Sequence, residues 1–275
     1  MLWNNKRYEG CIIMIYFSDL DRTLMYSNKF IGKEKNEICV EMLNGEEISY
    51  MSPKSIEYLK EILKDKKFIP TTTRSIEQFK RIKFQEQDIN FEWSIVSNGG
   101  NILYKGEIVK EWTEMLISKL KTCGSLEYIM EVFKGKYKNI DGINKVRDVD
   151  NVFFYIVVDE DIFDESNIEV FKGFFLDFKW NVYVNGRKIY FLPEVVTKEA
   201  AIEFLSNHLN ENKFGVLGDS IMDLNMLKAA YKAYIPKESY IENYDINRNS
   251  FISKKSGFSG TEEILKDILY KDIEK

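Results

Sequence analysis

Two short apolar strands that each run into aspartate constrain this chain more than any other feature. The first, Ile12-Ile13-Met14-Ile15-Tyr16-Phe17, has the length and β-branched content of a buried parallel strand and leads into Asp19 and Asp21. The second, Phe214 to Leu217, runs directly into Gly218 and Asp219. In open α/β sheets ligands bind beyond the carboxyl ends of the strands, so all three carboxylates are expected at one such edge. Acids gathered there repel one another unless a cation lies between them, and hard oxygen ligands with room for water and phosphate suit Mg²⁺. On its own, Asp-x-Asp-x-Thr is also compatible with a plain turn and a capping carboxylate.

Strand and helix alternate after the first acidic strand, as in a parallel sheet. Ser52-Pro53 reads as an N-cap followed by proline at the first helical position, and Ile56, Leu59, Ile62 and Leu63 then line one face. Phe68 and Ile69 lead to Thr72, Thr73 and Arg74, and Ser75 opens another helix through Phe79 and Ile82. Trp93 to Val96 is a third strand ending at Ser97-Asn98-Gly99-Gly100, and Ile102 to Val109 reads as a hairpin around Lys105-Gly106.

From about Trp112 to Lys188 the character changes. Helical stretches (Glu114 to Lys121, Leu126 to Phe133) precede an aromatic strand, Val152 to Val158, and a helix around Ile168 to Phe178. Strands follow around Val182 to Val184 and Lys188 to Leu192, and Asn185-Gly186 between them is the strongest hairpin signal in the chain. Strands joined by hairpins and covered by helices imply an α+β module, with Phe171, Phe174, Phe175 and Phe178 at helical spacing as its core. Because the acidic strand ends on either side belong to one site, this insert must leave and rejoin the same core. The expected division is a core of residues 1–111 and 189–275 and a cap of residues 112–188. Lys145, Arg147 and Arg187 are candidates for cap contacts to substrate.

A chain of 275 residues, 44% hydrophobic, can bury such a core. No run of eighteen apolar residues occurs, and the opening MLWNNKRYEG is too polar for a signal peptide, so a cytoplasmic setting is expected. A net charge of −5 with both signs interspersed gives no footprint for nucleic acid or an anionic membrane. Cys11, Cys39 and Cys123 are scattered, as reduced thiols are. For the single histidine, His208, a surface or cap-contact role is expected, and without another histidine no Ser-His or Cys-His machine can be built.

Five motifs in order, DLDRT (Asp19 to Thr23), TTR (Thr72 to Arg74), SNGG (Ser97 to Gly100), TKEAA (Thr197 to Ala201) and GDSIMD (Gly218 to Asp223), make one phosphate-handling constellation. In that order the chain resembles the haloacid dehalogenase-like phosphohydrolases, and within them the Cof-type branch with a large C2-type cap. The resemblance runs from about Met14 to about Leu269. It implies an α/β fold, with a doubly wound, Rossmann-like parallel-sheet core and an inserted α+β cap. It also implies Mg²⁺-dependent hydrolysis of a small phosphorylated metabolite, such as a sugar phosphate, through an aspartyl-phosphate. Met14 opens MIYFSDLD as family members usually start, so residues 1–13 are expected to be an added lead-in.

By the same resemblance Asp19 is the nucleophile and Asp21 the general acid/base. Thr72 supplies the phosphate-binding hydroxyl, Lys198 the third-motif lysine, and Asp219 and Asp223 the acidic pair. Mg²⁺ would be held by Asp19, Asp219 and the main-chain carbonyl of Asp21, with Asp223 orienting Lys198 or a metal-bound water. Thr73 and Asn98 join Thr72 and Lys198 as expected substrate contacts. Three positions depart from the family pattern: Arg22 and Thr73 replace glycines, and Met222 replaces an asparagine, which removes one oxygen ligand. Arg74 reads equally as an ion-pair partner and stays outside catalysis, and SNGG serves equally as a tight turn or a substrate-facing loop. Two rivals share these motifs: phosphomutase-type transfer, and a non-catalytic binding protein suggested by Arg22 and Met222.

Overall fold

The computed structural model describes residues 15–31, 36–246 and 248–270. Cys11 and the first half of the expected opening strand, Ile12 to Met14, lie outside them. The first described strand, β1 (Ile15–Ser18), is buried along its whole length. A small antiparallel flap follows: β2 (Tyr26–Ser27), β3 (Ile38–Leu43) and β4 (Glu46–Met51), in the order β2-β4-β3. Helix α1 (Pro53–Asp65) begins where its sequence requires, with Ser52 Oγ accepting the Ser55 amide at 3.1 Å and proline occupying a position that needs no donor. Ile56, Leu59 and Ile62 are buried, as one helical face must be.

After β5 (Lys67–Pro70) comes α2 (Ile76–Lys80), closed by a reciprocal Ser75–Gln78 capping box, and then β6 (Trp93–Val96). The expected hairpin is β7 (Asn101–Tyr104) and β8 (Glu107–Ile108). The insert contains α3 (Lys110–Leu120), α4 (Leu126–Lys136), β9 (Ile143–Val149), β10 (Phe153–Val158), α5 (Ser166–Leu176), β11 (Trp180–Asn185) and β12 (Lys188–Pro193). The chain closes with α6 (Lys198–His208), β13 (Phe214–Leu217), α7 (Leu224–Ala229), β14 (Lys232–Lys237), β15 (Ser250–Ser256) and α8 (Gly257–Tyr270).

The central sheet is parallel throughout, in the order β15-β14-β13-β1-β5. Side-chain alternation divides its neighbours cleanly. Ile15, Phe17, Ile69 and Val216 share a cluster with Ala201, Leu205, Met226 and Leu227 from α6 and α7. Tyr16, Phe68, Leu217 and Tyr234 instead pack with Leu59 and Ile62 of α1 and Ile264, Leu265 and Ile268 of α8. Both faces are therefore covered by helices, and the core is doubly wound. The third expected strand, β6, joins this sheet only at its tip, through a bridge between Thr71 and Ile95, and otherwise pairs antiparallel with β7.

The insert forms its own antiparallel sheet, β11-β12-β10-β9. On one face Phe154 and Phe191 stack at 4.6 Å, covered by Phe133 of α4 and by Phe171 and Phe175 of α5, so the expected phenylalanine stripe is cap core. Because β12 pairs with both β10 and β11, this sheet continues to Pro193, past the expected limit at residue 188. The sequence pattern did not signal β9: its apolar residues, Ile143, Val146 and Val149, recur every third position, which is neither strand alternation nor a bounded apolar run. No helix among the described residues is long and apolar enough to cross a membrane.

Candidate active site

The two apolar strands lie side by side, and both acidic ends emerge at the same edge of the sheet. β1 pairs with β13 from Ile15–Phe214 to Ser18–Leu217, and the Asp19 amide continues the ladder onto the Leu217 carbonyl at 3.0 Å. Lys198, at the start of α6, reaches into this edge and donates to Asp19 Oδ1 and to Asp223 Oδ1, each at 2.6 Å. All three groups are buried. Thr197 caps that helix by accepting the Ala200 amide at 3.2 Å, so the N-cap geometry fixes where Lys198 begins its reach.

Asp223 is the scaffold of the fourth motif. Its Oδ2 accepts from the Asp219 amide (3.2 Å), the Ser220 amide (3.0 Å) and the Ser220 hydroxyl (2.8 Å). Gly218 is required here because a Cβ would lie 2.6 Å from that of Asp223. Met222 points into the apolar cluster and supplies no oxygen in place of the missing amide.

One oxygen from each of Asp19, Asp219 and Asp223 lies within 4.8 Å of the others. Burial pushes the Asp19 carboxyl up to about 7 against the pull of Lys198, with Asp223 and Asp21 adding repulsion. Burial, then Asp19 and Asp223, raises Asp219 as well. Burial disfavours the charged Lys198 amine, but the two aspartates outweigh it and raise its pKa. Asp219 Oδ2 is buried without a hydrogen bond; the nearby Arg22 Nε, at 3.2 Å, is a Coulombic neighbour that makes none. Buried carboxylates whose charge is disfavoured in Asp19 and Asp219, one with an oxygen that accepts no hydrogen bond, form a donor set that fits a hard divalent cation.

Asp21 stands apart from this cluster. Its side chain, 53% exposed, is gripped by Arg74 through Nε–Oδ2 and Nη2–Oδ1 bonds of 2.8 Å each. Partial desolvation opposes its charge, but Arg74 prevails and lowers its pKa. Arg74 also donates to Glu41 Oε1 at 2.8 Å, and Arg81 reaches the same oxygen at 2.7 Å. The ion-pair reading of Arg74 therefore describes its contacts. Glu41 and Arg81 carry no motif, because their partners come from the flap and α2 region only once the chain is folded.

Thr72 is fully buried beside Asp19's strand, its hydroxyl accepting the Arg74 amide at 3.2 Å and keeping its own proton available to donate. Thr73 is an electrostatic neighbour of Tyr190 of the cap. In the SNGG turn, Asn98 Nδ2 donates to the Val196 carbonyl at 3.1 Å while its Oδ1 has no partner, and Ser97 Oγ donates to Asp150 of the cap. Gly99 has φ +91, and a Cβ there would meet the Thr197 carbonyl oxygen at 2.2 Å. The turn thus seats the N-cap of the Lys198 helix.

Three cap candidates expected from the sequence, Lys145, Arg147 and Arg187, are all exposed. Lys188 and Tyr190, which no motif marks, do interact with the core site: Lys188 acts electrostatically on Asp21, and Tyr190 on Thr73. His208 packs its ring on Trp93 and Phe204 at the surface of the core. Cys39 and Cys123 are free thiols.

No protein-family model and no curated protein matches the sequence. Solved structures do match. Sucrose-phosphatase from Synechocystis sp. PCC6803, solved with sucrose and phosphate, superposes with a TM-score of 0.67 at 14% identity, over 93% of this chain and 97% of that one. A trehalose-6-phosphate phosphatase related protein gives 0.57 at 16%, over 94% and 99%. A haloacid dehalogenase-like hydrolase from B. subtilis gives 0.59 at 14%, over 92% and 99%. Over nearly its whole length, cap included, this chain has the fold of the haloacid dehalogenase-like hydrolases.

Proposed function

We propose that the protein is a Mg²⁺-dependent phosphatase of a small phosphorylated metabolite, acting in the cytoplasm through an aspartyl-phosphate on Asp19. One observation carries this reading. A buried carboxylate at a strand end is held by a buried lysine, with two further acids within reach of a shared cation. The fold shared with a sucrose-phosphatase and a trehalose-6-phosphate phosphatase related protein supports it.

Asp19, Asp219 and Asp223, with the main-chain carbonyl of Asp21, would hold Mg²⁺. When bound, the ion neutralises phosphate charge and lets Asp19 remain ionised. Lys198 fixes Asp19 Oδ1, which leaves Oδ2 to attack phosphorus, and it offers positive charge to the phosphoryl oxygens as the bond to the leaving group breaks. Thr72 donates its hydroxyl proton to one of those oxygens. Asp21 protonates the leaving alcohol and later takes a proton from the attacking water, which requires release from Arg74's bidentate grip as substrate enters. Thr73 and Asn98 complete the substrate contacts. The cap comprises the expected insert with all of β12, and it closes over the cleft to exclude water.

The test is trapping of the phosphoenzyme. The parent protein with Mg²⁺ and an activated aryl phosphate should accumulate label on Asp19, and Asp19→Asn should accumulate none. Label on the Asp19→Asn protein would refute the assignment. The non-catalytic reading has Arg22 beside Asp219 in its favour; steady release of phosphate from p-nitrophenyl phosphate by the parent, abolished in Asp19→Asn, excludes it.

A further inference from the structure

The cap sheet has one aromatic face, under its helices, and one open face whose composition is unlike the rest of this acidic chain. Register places Lys145, Val157, Lys188 and Asn185 in one row across the four strands, and Arg147, Tyr155, Tyr190 and Tyr183 in the next. Directly paired residues share a face. That face is opposite Phe154 and Phe191 and turns toward the core, where Tyr190 meets Thr73 and Lys188 interacts with Asp21. The Lys188 amine also sits over the Tyr155 ring, 5.2 Å from its centroid.

None of Lys145, Arg147 or Lys188 forms an ion pair among the described residues, although the chain's net charge is −5. Cations on an edge strand commonly keep that edge from pairing, which would account for Lys145 and Arg147 on β9. It cannot account for Lys188, because β12 is an inner strand paired on both sides. The phosphoryl group has its own cation in Lys198, which is bonded to Asp19. Lys188 shares its sheet face with Tyr190 and acts electrostatically on Asp21, the group assigned to protonate the leaving oxygen, which points this face toward the leaving group.

We infer that the leaving group carries a second anion, a carboxylate or a second phosphate, bound by Lys188 with Arg147 and Lys145 on the open face of the cap. Strands two apart in a sheet are separated by about 10 Å, a gap that long basic side chains close around one anion. Tyr155 and Tyr190 form the floor. This inference rests on the phosphatase reading for its account of catalysis, but it is a statement about binding and can be tested apart from turnover.

The experiment compares matched esters with Mg²⁺: 3-phosphoglycerate with glycerol 3-phosphate, 6-phosphogluconate with glucose 6-phosphate, and fructose 1,6-bisphosphate with fructose 6-phosphate. The first two pairs differ by a carboxylate and the last by a phosphate, so the arms separate the two kinds of anion. In at least one arm the more acidic member should be favoured in kcat/KM by about tenfold or more, mainly through KM, as charge-assisted hydrogen bonds allow. Lys188→Met should bring that ratio toward one and Lys188→Arg should retain most of it, which a merely structural lysine would not do. p-Nitrophenyl phosphate reports the phosphatase reading alone. If no ester is turned over, that reading fails, and calorimetric binding of the same pairs decides the anion site by itself. Equal or inverted ratios in every arm, or a ratio untouched by Lys188→Met, overturn the inference.

Discussion

Gly99→Ala should damage a site from which its own side chain is absent. At φ +91 an alanine is strained, at a cost of about 1–2 kcal/mol. Its Cβ would also stand 2.2 Å from the Thr197 carbonyl oxygen and 2.8 Å from the carbonyl carbon, both backbone atoms that cannot swing aside. Forcing the two segments apart adds about 1–3 kcal/mol, the usual cost of overpacking, for a total of about 2–5 kcal/mol. With a urea slope of about 3 kcal/mol/M, the midpoint falls by roughly 1 M. The displaced segment is the N-cap of α6, so Lys198 Nζ moves relative to Asp19 and Asp223, each now 2.6 Å away. A misplacement approaching 1 Å lowers kcat by up to about a hundredfold. Urea unfolding with parallel turnover of p-nitrophenyl phosphate tests both parts. A midpoint within about 0.2 M of the parent, with unchanged kcat, would refute the argument that the turn positions this lysine.

Asp219→Ala removes the orphaned buried oxygen, and calorimetry should show Mg²⁺ affinity reduced at least about tenfold with the fold retained by circular dichroism; equal affinity counts against the site. In EDTA, stability should fall as pH rises. Asp19 has a folded value of about 7 against 3.8 for the free group, so its contribution is fully present below about 4 and lost by about 7. The loss is on the order of a few kcal/mol, and thermal unfolding at pH 5 and pH 8 reads it. Added Mg²⁺ should restore stability at pH 8, whereas greater stability at pH 8 without metal contradicts the burial argument. Arg22→Gly should tighten Mg²⁺ binding several-fold by removing a fixed cation 3.2 Å from Asp219, and relief of φ 63 at that position should offset part of the lost contacts to Tyr240 and Glu238. Unchanged or weaker binding would show that Arg22 does not compete with the metal.

The sequence by itself determined the framework of the core and the chemistry of its edge. A buried parallel strand must be apolar, and its last residue must face the sheet's carboxyl edge, so Asp19 and Asp219 could be placed from β1 and β13 alone. The Ser52-Pro53 helix start was legible for the same kind of local reason: a cap is satisfied by atoms three residues away. Tertiary structure decided what depends on partners distant in the chain. Glu41 became a buried clamp for Arg74 and Arg81 because the flap folds over them, and Asp21 became an ion-paired group because Arg74 arrives from the next strand end. The SNGG turn is seated by the packing of Gly99 against Thr197, which no local pattern encodes. Likewise β9 became a strand through its pairing with β10 despite a helix-like spacing, and that pairing put Arg147 in line with Tyr155 and Tyr190. Motifs record what one segment must do locally; the cap's charged face exists only where four strands are held in register, and register is a property of the assembled sheet.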